Sequence, residues 1–555
     1  MEISRAVVER LTANGIDTVF GIPGKQTLPL NEAIGTRDDV RYVMARHETA
    51  VTHQAWGYAE TSGRPAATVV VPGPGDMNAM NGLKNASNDC TPLIHIAVET
   101  EPELRGGGGI HETPPDTYDN VVKTNRLVEH PESTAAVLEE AIAVAETPPK
   151  GSVRVGIPKN FLSMDVPLAT PAEYGRGSVS GVADRDVAAG AELLAAADDP
   201  VIVAGGGVRS ADASDDLRQV ADRLGAPVVA TYKGKGVLPD GPGGYVAGTL
   251  SGSASPELLA LLADADAALA VGTDFDAVAT RAWSVEIPDR LVHVTLDPDD
   301  LGNGYDPAVG IVADAGAALS ALDGALADRG LTVGDGGGDG DTGAIERAGA
   351  IRRATSDRLA DLRTSSPPIT SVSALEAIRE AVPADAIATA DAGGSRVWAL
   401  NAFDAAGPRS YVNPGSWATM GSSLPSAIGA QLANPDDDVV VLVGDGGLMM
   451  CVHELHTAVA EDLPLTVVVF VNEDYALISD EADRSYDLDA GEYDWTNAPI
   501  DFAGLADSLG LRTKRAETPA EIRSTLADAV DADEAVLVEV PTDPTEPQAG
   551  EWMRE

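Results

Sequence analysis

The sequence predicts an α/β protein made of three doubly wound parallel-sheet domains. Three observations carry that expectation. At 555 residues the chain is several times longer than the roughly 100–200 residues of one ordinary domain. Apolar residues make up 44% of it but aromatics only 4%, so the cores must be built from Val, Ala, Leu and Ile, as in parallel sheets covered by helices. Short apolar runs also alternate with helix-length segments along the chain, which is the rhythm of βαβ units.

Residues 1–170 form the first expected domain, with strands at Thr18-Val19-Phe20, Val40 to Val43, Ala67 to Val71, Leu93 to Ala97 and Val153 to Val155. Residues 182–330 form the second. There Pro200-Val201-Ile202-Val203-Ala204 runs into Gly205-Gly206-Gly207, and Ala226 to Ala230, Ala267 to Val271 and Leu291 to Val294 follow as strands. Residues 331–366 are expected to be a linker and a connecting helix, because Thr332 to Gly343 is dominated by Gly and Asp and cannot bury a core. Residues 367–555 form the third domain, with strands at Ala386 to Ala390, Val439 to Val443, Leu465 to Val471 and Ala535 to Val540. No short-period repeat is detectable.

Charge narrows the function. With 87 acidic against 38 basic residues the net charge is −49, a field that repels nucleic acid and anionic membranes. The acidic residues are spread over expected surface positions such as Asp184, Asp198, Asp299 and Asp436, a pattern suited to solubility in concentrated salt, where screening cancels self-repulsion. Cys90 and Cys451 lie far apart without metal-ligand spacing, so they predict neither a disulfide framework nor a zinc site. The opening Met1-Glu2-Ile3-Ser4-Arg5 carries an acidic residue, and no stretch reaches 18 apolar residues. A soluble, cytoplasmic, salt-adapted protein without nucleic-acid or membrane partners is the expectation.

The chemistry concentrates in the third domain. The strand ending at Val443 runs into Gly444-Asp445-Gly446-Gly447, and a helical segment from Cys451 to Glu461 follows. A glycine-rich turn before a helix exposes backbone N–H groups and suits a diphosphate. The next buried strand ends in Val471-Asn472-Glu473-Asp474-Tyr475, and adjacent parallel strands would bring Asp445 and Asn472 together at their C-terminal ends. Their side-chain oxygens, with a carbonyl such as that of Asp474, form a hard-oxygen half-shell for Mg²⁺. Gly-Asp-Gly recurs at Gly334 to Gly336 and at Gly338 to Gly340, but in the linker, with no strand before it and no helix after, so strand context decides between the copies.

This segment resembles the thiamine diphosphate motif of the acetolactate synthase and 2-oxo acid decarboxylase superfamily, Gly-Asp-Gly followed about two dozen residues later by Asn. Other family marks appear in order: Val19-Phe20-Gly21-Ile22-Pro23-Gly24, Arg46-His47-Glu48-Thr49-Ala50, Pro72-Gly73-Pro74-Gly75 with Asn78, and Gly415 to Gly429 containing Ala418 and Met420. The resemblance implies that Glu48 hydrogen-bonds the cofactor's pyrimidine and drives its activation, and that Met420 is the apolar wedge that bends the cofactor. Ile22, Pro23, Gly24, Pro74, Asn78, Ala418, Gly444, Asp445, Gly446, Gly447, Asn472, Asp474 and Tyr475 would contact the cofactor, with Asp445, Asn472 and Asp474 on the metal. Gly394 and Ser395 follow the strand at Ala386 and give a second phosphate-binding turn, though Gly-Gly-Ser is also an ordinary loop.

The substrate side departs from both known branches. Leu477 and Ile478 stand where acetolactate synthases carry an apolar pair, but the following Trp is missing, and Ile478 replaces the Glu of pyruvate decarboxylases. Ile110-His111-Glu112 offers one His of a decarboxylase His-His pair. His111 and Glu112 read equally well as proton-transfer groups and as a solvated pair beside Gly106 to Gly109. Lys25 and Gln26 complete the candidate substrate residues. The resemblance further implies a homodimer or tetramer acting on a small 2-oxo acid, a regulatory subunit and a place in branched-chain amino acid biosynthesis. It also raises FAD in the central domain, where Leu296 to Gly302 matches, but Asp274 stands where an Arg would approach the anion and Ala247 to Ser251 lacks the usual glycine pattern. Carboligation is the favoured activity, simple decarboxylation the alternative and a non-catalytic paralogue the third reading.

Overall fold

The computed structural model describes residues 1–167, 181–333, 339–486 and 488–554. The end of the first expected domain at 168–170 and the linker copy Gly334-Asp335-Gly336 lie outside those residues.

Among the described residues the strands make three six-stranded sheets, and every pairing in them is parallel. The first holds β1 (Thr18–Gly21), β2 (Arg41–Met44), β3 (Ala66–Val70), β4 (Leu93–Glu99), β5 (Thr124–Leu127) and β6 (Val153–Pro158). The second holds β7 (Pro200–Ala204), β8 (Val228–Thr231), β9 (Val246–Leu250), β10 (Ala267–Val271), β11 (Leu291–Thr295) and β12 (Val309–Val312). The third holds β13 (Ile387–Ala390), β14 (Tyr411–Val412), β15 (Val439–Gly444), β16 (Thr466–Val471), β17 (Arg512–Arg515) and β18 (Val536–Pro541). Inner strands such as β4 and β10 are buried at every position, because helices cover both faces of a parallel sheet.

Strand order reveals a kinship between the outer domains. The first sheet runs β2-β1-β3-β4-β6-β5 and the third β14-β13-β15-β16-β18-β17, the same order, whereas the central sheet runs β12-β11-β10-β7-β8-β9. In each outer sheet the order reverses between its first and third strands, so a crevice opens outside their C-terminal ends. The segments after β1 and β3 therefore correspond to those after β13 and β15.

The outer domains pack through the helix Glu48–Ser62, which is buried from Ala50 to Thr61, against the helix Ser423–Ala433. A Cβ on Gly57 would lie 2.1 Å from the Ser426 carbonyl oxygen, so the two backbones meet only because that residue is Gly. A buried ion cluster ties in the central domain. Arg209 sits 2.6 Å from Glu60, Lys233 contacts Glu60 and Asp89, and Arg409 donates to the Glu60 carbonyl at 3.0 Å. Burial resists ionisation of Glu60, but the Arg209 and Lys233 charges overcome it and bring its carboxyl down to about 2.

Two expectations change. The connecting helix expected in 331–366 spans Asp339–Leu359 and buries Ala344 and Ala348, so a helix does follow the Gly338 to Gly340 copy, against expectation. The helix expected from Cys451 instead begins at Asp445, as Asp445–Cys451, a 3₁₀ turn at Val452–Glu454 and a helix at Leu455–Ala460. The exposed acidic surface is as expected at Asp184, Asp198, Asp299 and Asp436.

Candidate active site

Asp445 opens its helix directly at the C-terminal end of β15, and its side chain is only 2% exposed. Its Oδ1 accepts the Gly446 N–H at 2.8 Å, and its Oδ2 accepts the N–H groups of Asn472 at 3.1 Å and Glu473 at 2.7 Å. β15 and β16 thus bring Asp445 and Asn472 together, as their register requires. Burial, partly offset by those N–H groups, pushes the Asp445 carboxyl up to about 6, the state of a buried acid that lacks a counter-charge. Asn472 Oδ1 accepts the Asp474 N–H at 3.3 Å, and Asp474 Oδ1 accepts the Ser479 hydroxyl at 2.5 Å. Tyr475 lies over the turn: a Cβ on Gly446 would come within 2.6 Å of its ring, which in turn packs edge-on against Trp495.

The loop with Ala418 and Met420 is held by Asp391, a residue the sequence reading did not single out. Asp391 is 1% exposed at the end of β13. It accepts the N–H groups of Gly421 (2.9 Å), Ser422 (2.9 Å) and Ser423 (3.1 Å), fixing the turn after Met420 and the start of the helix Ser423–Ala433. On the other side, Trp417 and Thr419 both donate to Asn81 of the first domain, at 2.7 and 2.9 Å. Gly394 and Ser395 begin the helix Gly394–Ala402 after β13, the position that corresponds to Ile22, Pro23 and Gly24 after β1.

In the first domain Glu48 starts its helix, capped by His47, whose Nδ1 accepts the Thr49 N–H at 3.2 Å. Glu48 Oε2 accepts from Asn78 Nδ2 at 3.0 Å, and Gly75 lies beside its other oxygen. Asn78 rides on the helix Pro74–Asn88, which is pinned by the buried Asp76: Arg154 donates to it at 2.7 Å and His95 Nε2 at 2.8 Å. Burial opposes that charge, but the His95 bond and the Arg154 charge lower the Asp76 carboxyl to about 2. Gly24 packs on Val71, with Ile22 half-buried, Pro23 and Lys25 exposed and Gln26 half-buried beside it.

His111 and Glu112 part company. Glu112 spends its carboxylate on the N–H groups of Gly106, Gly108 (3.1 Å) and Gly109 (3.2 Å), which makes it the clasp of the glycine loop. His111, at φ +64°, presses its backbone on Gly73, and its Nδ1 is buried without a hydrogen-bond partner. Leu477 and Ile478, exposed at the start of the helix Ala476–Tyr486, lie two and three residues after Tyr475.

Among the described residues no hydrogen bond or ion pair within one chain joins Glu48 to the Asp445 loop. What links them is Glu454, at the end of the Asp445 segment, which binds the backbone just before Glu48.

Comparison with known proteins matches this arrangement. Residues 1–120 fit the family profile "Thiamine pyrophosphate enzyme, N-terminal TPP binding domain", residues 187–322 its central domain and residues 391–540 its C-terminal TPP binding domain. The chain belongs to the thiamine pyrophosphate enzyme family. Similar members include a "Probable acetolactate synthase large subunit" of Methanococcus aeolicus, 27% identical over 98% of this chain and 92% of the relative. The "Acetolactate synthase isozyme 1 large subunit" of Escherichia coli K12 is 29% identical over 97% and 94%. A "Probable 2-ketoarginine decarboxylase" of Pseudomonas aeruginosa is 31% identical over 97% and 93%. The protein is therefore a thiamine diphosphate-dependent, acetolactate synthase-like enzyme of the transferase/lyase type.

The Asp445 turn fits the cofactor's diphosphate and a divalent cation, because space is open beside Gly444 at the end of the strand and the donors are hard oxygens. No cluster of three or more His, Cys, Asp or Glu is placed to hold a metal among the described residues. FAD fits the central domain poorly. A cleft of about 570 Å³ opens at the ends of β7, β8, β10 and β11, lined by Asp274, Asp276, Asp297 and Asp300. Burial and neighbouring carboxylates push Asp274 and Asp300 up. Of the lysines lining the cleft, Lys233 is already taken by Asp89 and Glu60 and Lys123 by three backbone carbonyls, while Lys84 and Lys150 each reach one backbone carbonyl. Among the described residues no helix is long and apolar enough to cross a membrane.

Proposed function

We propose that this enzyme decarboxylates a 2-oxo acid with thiamine diphosphate and Mg²⁺ and then joins the remaining fragment to a second carbonyl compound. The observation that carries the reading is the helix start beside the Asp445 turn, where Leu477 and Ile478 are exposed and no carboxylate occupies either position. An apolar wall there slows protonation of the reacting fragment and leaves time for a second substrate. Bound thiamine diphosphate would supply the electron sink. The chain's own part is then to hold and orient. Asp445, Asn472 and the Asp474 carbonyl would bind the metal, Met420 would keep the cofactor bent, and Glu48, held by Asn78, would share a proton with the pyrimidine ring.

The lack of any direct bond between Glu48 and Asp445 within one chain supports a site shared between chains. We read the active unit as at least a homodimer in which Glu48 of one chain meets Asp445 of the other. Exposed Met77 near Glu48 and exposed Met449 and Met450 after Asp445 offer apolar surface for that contact. The acidic composition supports activity in a salt-rich cytoplasm. The relatives' "large subunit" names support a further, smaller subunit, which we read as regulatory, and we place the reaction in branched-chain amino acid biosynthesis. Product analysis with pyruvate alone and with 2-oxobutanoate tests the reading, which expects acetohydroxy acids.

One observation favours release of an aldehyde instead. The unpartnered Nδ1 of His111 lies in the Glu48 half-site and could donate the proton that ends such a reaction. The 2-ketoarginine decarboxylase relative supports the same alternative. Aldehyde as the dominant product would decide for it.

A further inference from the structure

Glu454 belongs by sequence to the diphosphate-binding domain, yet most of its bonds leave that domain. Its side chain is fully buried. Oε1 accepts the backbone N–H of Arg46 at 2.8 Å and of His47 at 3.0 Å, and Oε2 accepts Gln54 Nε2 at 3.0 Å and the Thr457 hydroxyl at 2.6 Å. An ionised carboxylate offers about four acceptor positions, and here four donors fill them. Arg46 and His47 are the two residues before Glu48, and His47 is the cap of its helix. Donors at a helix entry have no partner inside the helix, so the acceptor that receives them sets where the helix begins. Neighbouring contacts brace the same joint: Arg46 Nε donates to His456 Nδ1 at 2.9 Å, and the His47 and His453 rings pack 5.7 Å apart.

The other end of this strut is the cofactor turn. Glu454 closes the 3₁₀ turn Val452–Glu454 that continues the helix begun by Asp445. The same short segment therefore carries the metal-binding carboxylate at its start and grips the Glu48 helix at its end. Glu48 and Asp445 of one chain serve different sites under the shared-site reading above, on which this inference rests.

We infer that Glu454 is a positioning residue for Glu48, and that the Asp445–Glu454 segment mechanically joins the site a chain builds with its own Asp445 to the Glu48 it lends its partner. The carboxylate touches neither substrate nor cofactor. It acts through the backbone of Arg46 and His47.

Glu454→Gln keeps the size of the side chain but turns one acceptor into a donor, and Thr457 and Gln54 have rotatable groups that can reorient. In the homodimer, kcat should fall on the order of 10- to 100-fold, as expected for a displaced catalytic group, with thiamine diphosphate affinity within about threefold of the parent. Amide hydrogen exchange at Arg46 and His47 should accelerate without activity being involved. A hybrid dimer of an Asp445→Ala chain and a Glu48→Gln chain retains one intact site, formed by Glu48 of the first and Asp445 of the second. Adding Glu454→Gln to the first chain should reproduce the kcat loss, whereas adding it to the second should retain most of the activity. Glu454→Asp, which keeps the charge but retracts it, should show the same asymmetry. Equal losses in both arms, or unchanged exchange at Arg46 and His47, would overturn the positioning role. An inactive parent hybrid after demonstrated subunit exchange would instead overturn the shared site, and the inference with it.

Discussion

Asp391 Oδ2 lies so close to Gly447 that a Cβ on that glycine would approach it to 2.1 Å. The same carboxylate anchors the turn after Met420, so the proposed wedge loop and the proposed diphosphate turn share one support. Gly447→Ala should force Asp391 aside and loosen three backbone bonds at once. We expect a loss of about 1–3 kcal/mol in urea unfolding, the usual cost of overpacking, together with weaker thiamine diphosphate binding by fluorescence titration. Wild-type cofactor affinity would show that the turn tolerates the shift.

Glu48→Gln should keep the fold and nearly all cofactor binding while lowering turnover about 10²- to 10⁴-fold, the range of general acid–base contributions. Asn78 can still donate to the amide oxygen, so the local structure survives. Near-normal hydrogen exchange at the cofactor's C2 in this variant would sink the assignment.

Removing the proposed metal-binding carboxylate gives an internal control. Asp445→Ala should abolish Mg²⁺-dependent cofactor retention, because the diphosphate then lacks a compensated binding site. Asp335→Ala and Asp339→Ala, in the other two Gly-Asp-Gly copies, should leave retention unchanged in the same dialysis experiment.

Glu546 predicts a pH dependence of stability. Its carboxylate accepts the Ser371 N–H at 2.6 Å and the Ser371 hydroxyl, and burial, only partly offset by those bonds, pushes it from 4.5 up to about 7. The folded state therefore prefers the protonated acid. Its contribution is fully present below pH 4.5 and is lost as pH rises through 7, amounting to about 3 kcal/mol at most. Urea midpoints at fixed salt should fall between pH 5 and 8 in the wild type and stay flatter in Glu546→Gln. Parallel curves for the two proteins would exclude Glu546 as the source.

Salt should govern assembly. Screening of the −49 charge weakens from a length of roughly 3 Å at 1 M to about 10 Å at 0.1 M, so dilution strengthens repulsion within and between chains. Activity should rise with KCl toward molar concentrations and disappear on dialysis, with Mg²⁺ and thiamine diphosphate slowing the loss by binding only the assembled state. Full activity and an unchanged Tm at low ionic strength would contradict salt adaptation.

Much of this protein is determined locally and was legible as such. β7 and β10 fall where their apolar runs predict, because a strand buried on both faces must be apolar throughout. The Asp445 turn was separable from its linker copies by the strand before it. The edge strands β5 and β17 escaped notice, since Thr124–Leu127 and Arg512–Arg515 face solvent and carry no such run. Asp391 and Glu454 were equally silent, for a different reason: their roles reside in backbone donors 30 and 408 residues away, and no spacing along the chain encodes such a pairing. The shared strand order of the outer sheets is hidden in the same way, because order depends on which strands hydrogen-bond in space and leaves no repeat in the residues. Composition and local pattern determined the fold class, the domain sequence and the residue types of the cofactor turns. Only the tertiary structure decided what holds those turns in place, since that is set by long-range packing between domains.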